Sequence, residues 1–260
     1  MRWIIVVLRS LVAWSAGVLA TIIFAPVVIA VAVFNDTSPW IDKVIRLWSR
    51  VWLLASGSPL TVEGGEHIDP RRSYVVVSNH ISTLDIMICL LAAPIPIRFL
   101  AKKELFRVPL LAQGMRAVGV IEVDRSARRA AHAEVNKQAK ALIEKKRSLI
   151  IYAEGTRPRD GVMKSFKKGA FTMAIAAQLP VLPMTIHGAF ESMPPGKPWV
   201  FGGPVKAVVD PPIETTGMDG SGTGALCDQV YDIISTRVRE MGGRVGARHL
   251  SGPPQDEGPS

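Results

Sequence analysis

Cysteine is scarce in this 260-residue chain: only Cys89 and Cys227 occur, each in an apolar, helix-patterned context. That excludes a disulfide framework and a CxxC redox pair, and it fits buried thiols in a reducing compartment. No zinc-ligand spacing is present, so neither a metal nor an organic cofactor is expected. The GxSxG elbow of the serine hydrolases is missing, which argues against a membrane hydrolase. Acidic residues are in deficit, 22 against 31 Lys and Arg, for a formal net charge of +9. Such an excess favours anionic partners. With no recognition-helix or aromatic-basic RNA-binding signature, those partners are phospholipid surfaces or phosphorylated substrates, and nucleic acid is not one of them.

Charge is missing altogether from Ser10 to Asn35. The run is long enough to cross a bilayer at roughly 20 residues per span, and longer than a signal-peptide core. It reads as a retained membrane segment. Pro26, near its middle, is expected either to kink one span or to turn a re-entrant hairpin. Lys43, Arg46 and Arg50 follow, so the positive-inside bias places the rest of the chain in the cytoplasm, on the inner membrane.

Asp36-Thr37-Ser38-Pro39 is a capping signature for a second helix. Its stripe from Trp40 through Ile41, Val44, Trp48 and Trp52 keeps a 3.6-residue period. Three tryptophans on one stripe suit a helix in the headgroup region, against the alternative of a helix packed on the core. Residues 1–58 are thus read as membrane-anchoring and interfacial helices.

Beyond residue 58, short β-branched runs recur at Leu60 to Glu63, Val75 to Ser78, Arg98 to Ala101, Val118 to Val123, Leu149 to Ala153, Val181 to Ile186 and Val205 to Val209. Helical patterns at Ala127 to Lys146, Lys168 to Gln178 and Gly222 to Met241 alternate with some of them or close the series. This predicts one α/β catalytic domain over residues 59–241, a mainly parallel twisted sheet flanked by helices, with its site at the carboxyl ends of the strands. Residues 242–260, rich in Gly, Pro and charge, read as a disordered tail.

The most informative stretch is Tyr74 to Met87, where a strand delivers Asn79, His80, Ser82 and Asp85 into a polar turn and an apolar helix is expected over Ile81 to Leu91. His80 and Asp85 are five residues apart, about 140° on a continuous helix. They meet only if His80 sits in the turn before the helix and Asp85 in its first turns. That arrangement suits a base and its orienter, the carboxylate fixing one imidazole nitrogen and leaving the other to take a proton. The competing reading is a boundary histidine beside a cap from Asn79 or Ser82.

The full spacing Asn79-His80-Ile81-Ser82-Thr83-Leu84-Asp85 resembles the NHxSxxD block of the glycerolipid acyltransferases, and further blocks follow in that family's order. Gly119 to Arg125 resembles the second block, with Glu122 where the family has an apolar residue. Glu154-Gly155-Thr156-Arg157 matches the EGTR block, preceded by Ala153 and followed by Pro158 where the family has proline and serine. Phe166 to Ala170 and Leu179 to Pro183 resemble later stretches, the second assigned to the acyl side of the cleft. The resemblance spans about Val75 to Ile186.

It implies the glycerolipid acyltransferase fold and an acyl transfer from acyl-CoA or acyl-carrier protein to the sn-2 hydroxyl of 1-acyl-glycerol-3-phosphate (lysophosphatidate). His80 would be the base and Asp85 its orienter. Arg125, Glu154, Gly155, Thr156 and Arg157 would form the substrate-binding site, the two arginines holding the acceptor phosphate, Gly155 and Thr156 opening to it, and Glu154 pairing with Arg157. Asn79 and Ser82 would support the turn, or its amides the oxyanion. Lys102 and Lys103, after a strand, are further phosphate or headgroup contacts. The thioester is a co-substrate, and anionic membrane lipid is the remaining partner. Two other readings stay open: a different lysolipid acceptor such as a lyso-aminolipid, and a basic membrane-binding protein with an inert site.

Overall fold

The computed structural model describes residues 2–123 and 137–247. Helix α1 (Arg2–Phe34) is followed by α2 (Pro39–Ala55), β1 (Leu60–Glu63), β2 (Val75–Ser78), α3 (Asp85–Ala92), β3 (Ile97–Lys102), α4 (Leu111–Val118) and β4 (Ile121–Val123). After the undescribed residues come β5 (Ser148–Tyr152), β6 (Val162–Met163), α5 (Gly169–Ala177), β7 (Val181–His187), α6 (Ala189–Ser192), β8 (Val205–Val209), α7 (Thr223–Glu240) and β9 (Arg244–Val245).

Seven strands form one sheet in the order β1-β8-β7-β2-β5-β3-β4. Every neighbouring pair is parallel except β7 with β8. Central strand β2 pairs Val75–Ser78 with Val181–Met184 on one side and Leu149–Tyr152 on the other, and all four of its residues are buried. A strand buried on both faces has no polar side to offer, which is why its run is continuously apolar rather than alternating. One core, built on Val76, Leu84, Ile88 and Leu182, lies on the α2 and α3 face. A second, with Val75, Val77, Phe171 and Ile234, lies under α5 and α7.

Helix α1 runs unbroken through Pro26, so the re-entrant hairpin is not formed. At ~1.5 Å per residue its 33 residues extend about 50 Å. It lies against the domain: the Trp14 Nε1–H donates to the Pro198 carbonyl at 2.8 Å, the Val200 amide donates to Ser10 Oγ at 2.9 Å, and Arg9 donates to the Phe201 carbonyl. Its outer side presents Trp3, Ile4, Leu11, Leu19, Ile22 and Phe34, all more than half exposed.

Helix α2 begins as the capping signature predicts, with Ser38 accepting from the Trp40 amide and proline in the first turn. Its tryptophan stripe turns inward rather than toward a headgroup layer. Trp52 is 7% exposed and stacks edge-on against Trp14, and Trp48 Nε1–H donates to Thr21 Oγ1 at 3.0 Å; of the three only Trp40 faces out, at 60% exposure. The core-packed alternative therefore describes Trp48 and Trp52. Gly17 makes the close approach possible, since a Cβ there would lie 2.1 Å from the Trp52 ring. Gly17→Val is expected to destabilise the α1–α2 pair by about 1–3 kcal/mol, as overpacking does. Thermal unfolding in detergent should show it, and an unchanged midpoint would contradict this packing.

Three other readings need correction. Residues 118–120, expected in a strand, are the end of α4 and the turn after it; β4 begins at Ile121. The helix expected from Ile81 begins only at Asp85. Residues 242–247, assigned to a disordered tail, carry β9, which pairs Arg244 and Val245 with Val162 and Met163. The remainder of that tail, and the first part of the helix expected over Ala127 to Lys146, lie outside the described residues; residues 137–144 are helical.

Candidate active site

Strand β2 ends at Ser78, and the next seven residues build the turn around a single carboxylate oxygen. Asp85 Oδ2 accepts from His80 Nδ1 at 2.8 Å, from the Ile81 amide at 2.7 Å and from the Ser82 amide at 2.8 Å. Asp85 is fully buried at the start of α3, so its position is set by the core rather than by solvent. Because a carboxylate accepts, Nδ1 is the protonated nitrogen and Nε2 carries the free lone pair. The imidazole is held flat as well: it stacks on Tyr152, with centroids 3.9 Å apart and planes 10° apart.

The rest of the turn is pinned from neighbouring elements. Asn79 Nδ2 donates to the Ile186 carbonyl at 2.9 Å and its Oδ1 accepts from the Ile186 amide at 2.8 Å, extending the β2–β7 ladder by one side-chain rung. Ser82 Oγ donates to the Met193 carbonyl at 2.7 Å and accepts from the Leu84 amide at 3.1 Å. Both residues support the turn. The amides of Ile81 and Ser82 are already spent on Asp85, so the expectation that this turn's amides also meet an oxyanion does not fit those two groups.

The EGTR block follows β5, beside the β2 turn, as the parallel pairing requires. Glu154 is 3% exposed and points inward. Its Oε1 accepts from the His80 amide at 2.8 Å and its Oε2 from the Lys164 amide at 2.9 Å. The expected partnership with Arg157 is therefore replaced by two backbone contacts. Burial pushes the Glu154 carboxyl up to about 7, opposed by the amide hydrogen bonds from Lys164 and His80.

Arg157 reaches out of the fold, its Nη1 donating to Thr83 Oγ1 one residue before Leu84 and α3. Its guanidinium is solvent-exposed and stands beside the His80 turn. Thr156 is exposed next to it, and Gly155 turns with a φ of +76°. Lys167 crosses that glycine, its Nζ 3.0 Å from where a Cβ would sit. Any side chain at Gly155 would meet both the left-handed backbone and this lysine. Arg125 lies outside the described residues, while Lys102 and Lys103 are exposed at the carboxyl end of β3. Among the described residues no group of His, Cys, Asp and Glu could hold a metal ion.

Two contributors were not assigned from the sequence. Lys167 lies in a stretch singled out for the α5 start at Gly169, yet it is the lysine side chain that reaches the EGTR turn. Tyr152 had only its position to offer, the last residue of the strand that delivers Glu154.

A histidine with an oriented tautomer, held beside exposed cations at the ends of parallel strands, is an arrangement suited to group transfer on an anionic substrate. The chain belongs to the acyltransferase family, whose model matches residues 59–187. The 1-acyl-sn-glycerol-3-phosphate acyltransferase of Limnanthes douglasii is 33% identical to it over 212 residues, 78% of this chain and 73% of the relative. Human 1-acyl-sn-glycerol-3-phosphate acyltransferase alpha is 30% identical over 213 residues, 81% of this chain and 75% of the relative. The crystal structure of the 1-acyl-sn-glycerophosphate acyltransferase from Thermotoga maritima superimposes with a TM-score of 0.80 at 25% identity, over 95% of this chain and all of that one.

Proposed function

We propose that this chain transfers a fatty acyl group from an acyl thioester, acyl-CoA or acyl-carrier protein, to the sn-2 hydroxyl of 1-acyl-glycerol-3-phosphate, giving phosphatidate. The observation that carries this reading is the His80–Asp85 pair, with Nδ1 engaged and Nε2 free, in a turn that Arg157 adjoins. His80 Nε2 takes the acceptor hydroxyl proton as the oxygen bonds to the thioester carbonyl carbon. The tetrahedral intermediate then collapses, the C–S bond breaks, and the imidazolium returns the proton to the departing thiolate. Asp85 stabilises the imidazolium in between. No covalent acyl-enzyme is needed.

Arg157, with Lys167 and Arg125, binds the acceptor phosphate and so holds the hydroxyl at Nε2, catalysis chiefly by positioning. Arg157→Ala is expected to raise the acceptor KM by about tenfold or more, since a charge-assisted contact contributes roughly 1.5–3 kcal/mol. Steady-state kinetics with lysophosphatidate checks this; a fall in kcat with unchanged acceptor binding would remove the phosphate role. The reaction itself is tested by thiol release from long-chain acyl-CoA with purified protein. Release that depends on lysophosphatidate supports the proposal, release without acceptor points to a thioesterase, and release only with another lysolipid reassigns the acceptor.

The same reading places the protein on the inner membrane with the catalytic domain in the cytoplasm. What supports membrane association is the apolar outer side of α1, together with the cations that follow it in α2.

A further inference from the structure

At the edge of the sheet opposite the His80 turn, a cavity of about 360 Å³ opens between the last turns of α1, the end of α4 and the start of β5. Its floor and one wall are apolar, with Ile29, Ala32 and Val33 of α1 facing Val118 and Leu142. Its rim is basic, formed by Arg116 and Lys145, with buried Arg147 in the wall and Asp36 as the one acid among the described lining residues. The five-residue strand β5 separates this edge from the catalytic one, about 16 Å at ~3.3 Å per residue.

Among the described residues, the cations around this cavity outnumber the acids. Lys145 pairs with Asp36, and among the described residues Arg116 has a 3.9 Å contact with Glu122 and a position over the Phe106 ring. Beneath them, buried Arg98 and Arg147 share one carboxylate oxygen, Asp42 Oδ1, at 2.6 and 3.9 Å. Among the described residues, Arg98 Nη2 and Arg147 Nη1 have no hydrogen-bond acceptor. Buried guanidinium groups with so little counter-charge cost stability unless a further anion approaches. The cavity is also continuous with the exposed end of α1, where Val33 is 76% and Phe34 90% exposed.

We propose that this cavity is a second lipid site, which takes an anionic phospholipid with its phosphate between Arg116 and Lys145 and an acyl chain along Ile29, Ala32 and Val33. An apolar slot capped by cations fits an amphiphile with a negative head. A free phosphate would leave the slot empty, and a zwitterionic head would forgo the cation excess. The site serves retention at the membrane and is independent of the acyl-transfer chemistry.

Calorimetric titration of the full chain in non-ionic detergent with dihexanoyl phosphatidylglycerol, a phosphodiester that is neither acceptor nor product, tests it. Phosphatidylglycerol is expected to bind at least tenfold more tightly than dihexanoyl phosphatidylcholine or inorganic phosphate. The double substitution Arg116→Ala with Lys145→Ala, at two half-exposed side chains whose loss leaves the core intact, should weaken it at least tenfold. Arg157→Ala should leave it unchanged. Equal binding of phosphatidylcholine or of free phosphate would overturn the proposal, as would binding that survives the double substitution or is lost with Arg157→Ala, which would put the lipid at the catalytic edge.

Discussion

His80→Ala is expected to lower kcat by about 10²- to 10⁴-fold, the range a positioned base contributes, while leaving the fold standing. The second half of that expectation follows from where the side chain sits. The imidazole is partly exposed, 15% by side chain, and it contributes one of three donors to Asp85; the Ile81 and Ser82 amides still hold the carboxylate when it is gone. The turn therefore keeps its shape around a missing base. Acceptor-dependent thiol release measured beside the circular dichroism and unfolding midpoint of the same preparation separates the two effects. Activity within threefold of wild type would mean that proton removal is done elsewhere and that the His80–Asp85 pair is structural. Loss of activity together with loss of fold would contradict the independence of the turn.

The His80–Asp85 contact was legible from spacing, because five residues can bring these groups together only across a strand-to-helix turn. The sheet was legible for a related reason: strands buried on both faces write continuous apolar runs, and β2, β5 and β7 do so. Other features depend on chain path. Glu154 binds amides 74 and 10 residues away, at His80 and Lys164, and no local pattern distinguishes a carboxylate that turns inward from one that pairs with the arginine three residues on. Two-residue strands such as β6 and β9 are too short to show a period. Pro26 and the α2 tryptophans mark a further limit, since both signals were present but admitted two outcomes. Gly17, which lets Trp52 close on α1, selects the packed one.

Glu154→Ala is expected to reduce activity nearly as far as removal of the base, although Glu154 is buried and turned into the fold. Its two oxygens hold the His80 amide and the Lys164 amide, and so tie the catalytic turn to the segment that leaves β6. Truncation leaves both part-buried donors without their acceptor, at up to about 1–3 kcal/mol each, and frees the backbone of the base itself. A misplacement of about 1 Å in a positioned group costs on the order of 10²-fold, so the loss should fall on kcat, with acceptor KM little changed. A purely substrate-binding role would move KM instead. The same carboxyl also gives a signature in stability. Its folded-state value of about 7 lies above the ordinary 4.5, so between those pH values the folded chain holds a proton that the unfolded chain has released. Stability from this group is then fully retained at acid pH, falls as pH rises from about 4.5 to 7, and levels off above, by about 3 kcal/mol in all. Glu154→Gln, which cannot ionise, should flatten that slope while sacrificing one of the two amide contacts. Unfolding midpoints of wild type and Glu154→Gln across pH 5 to 8 decide the matter: parallel curves would mean that Glu154 is ionised throughout and held by its amides alone.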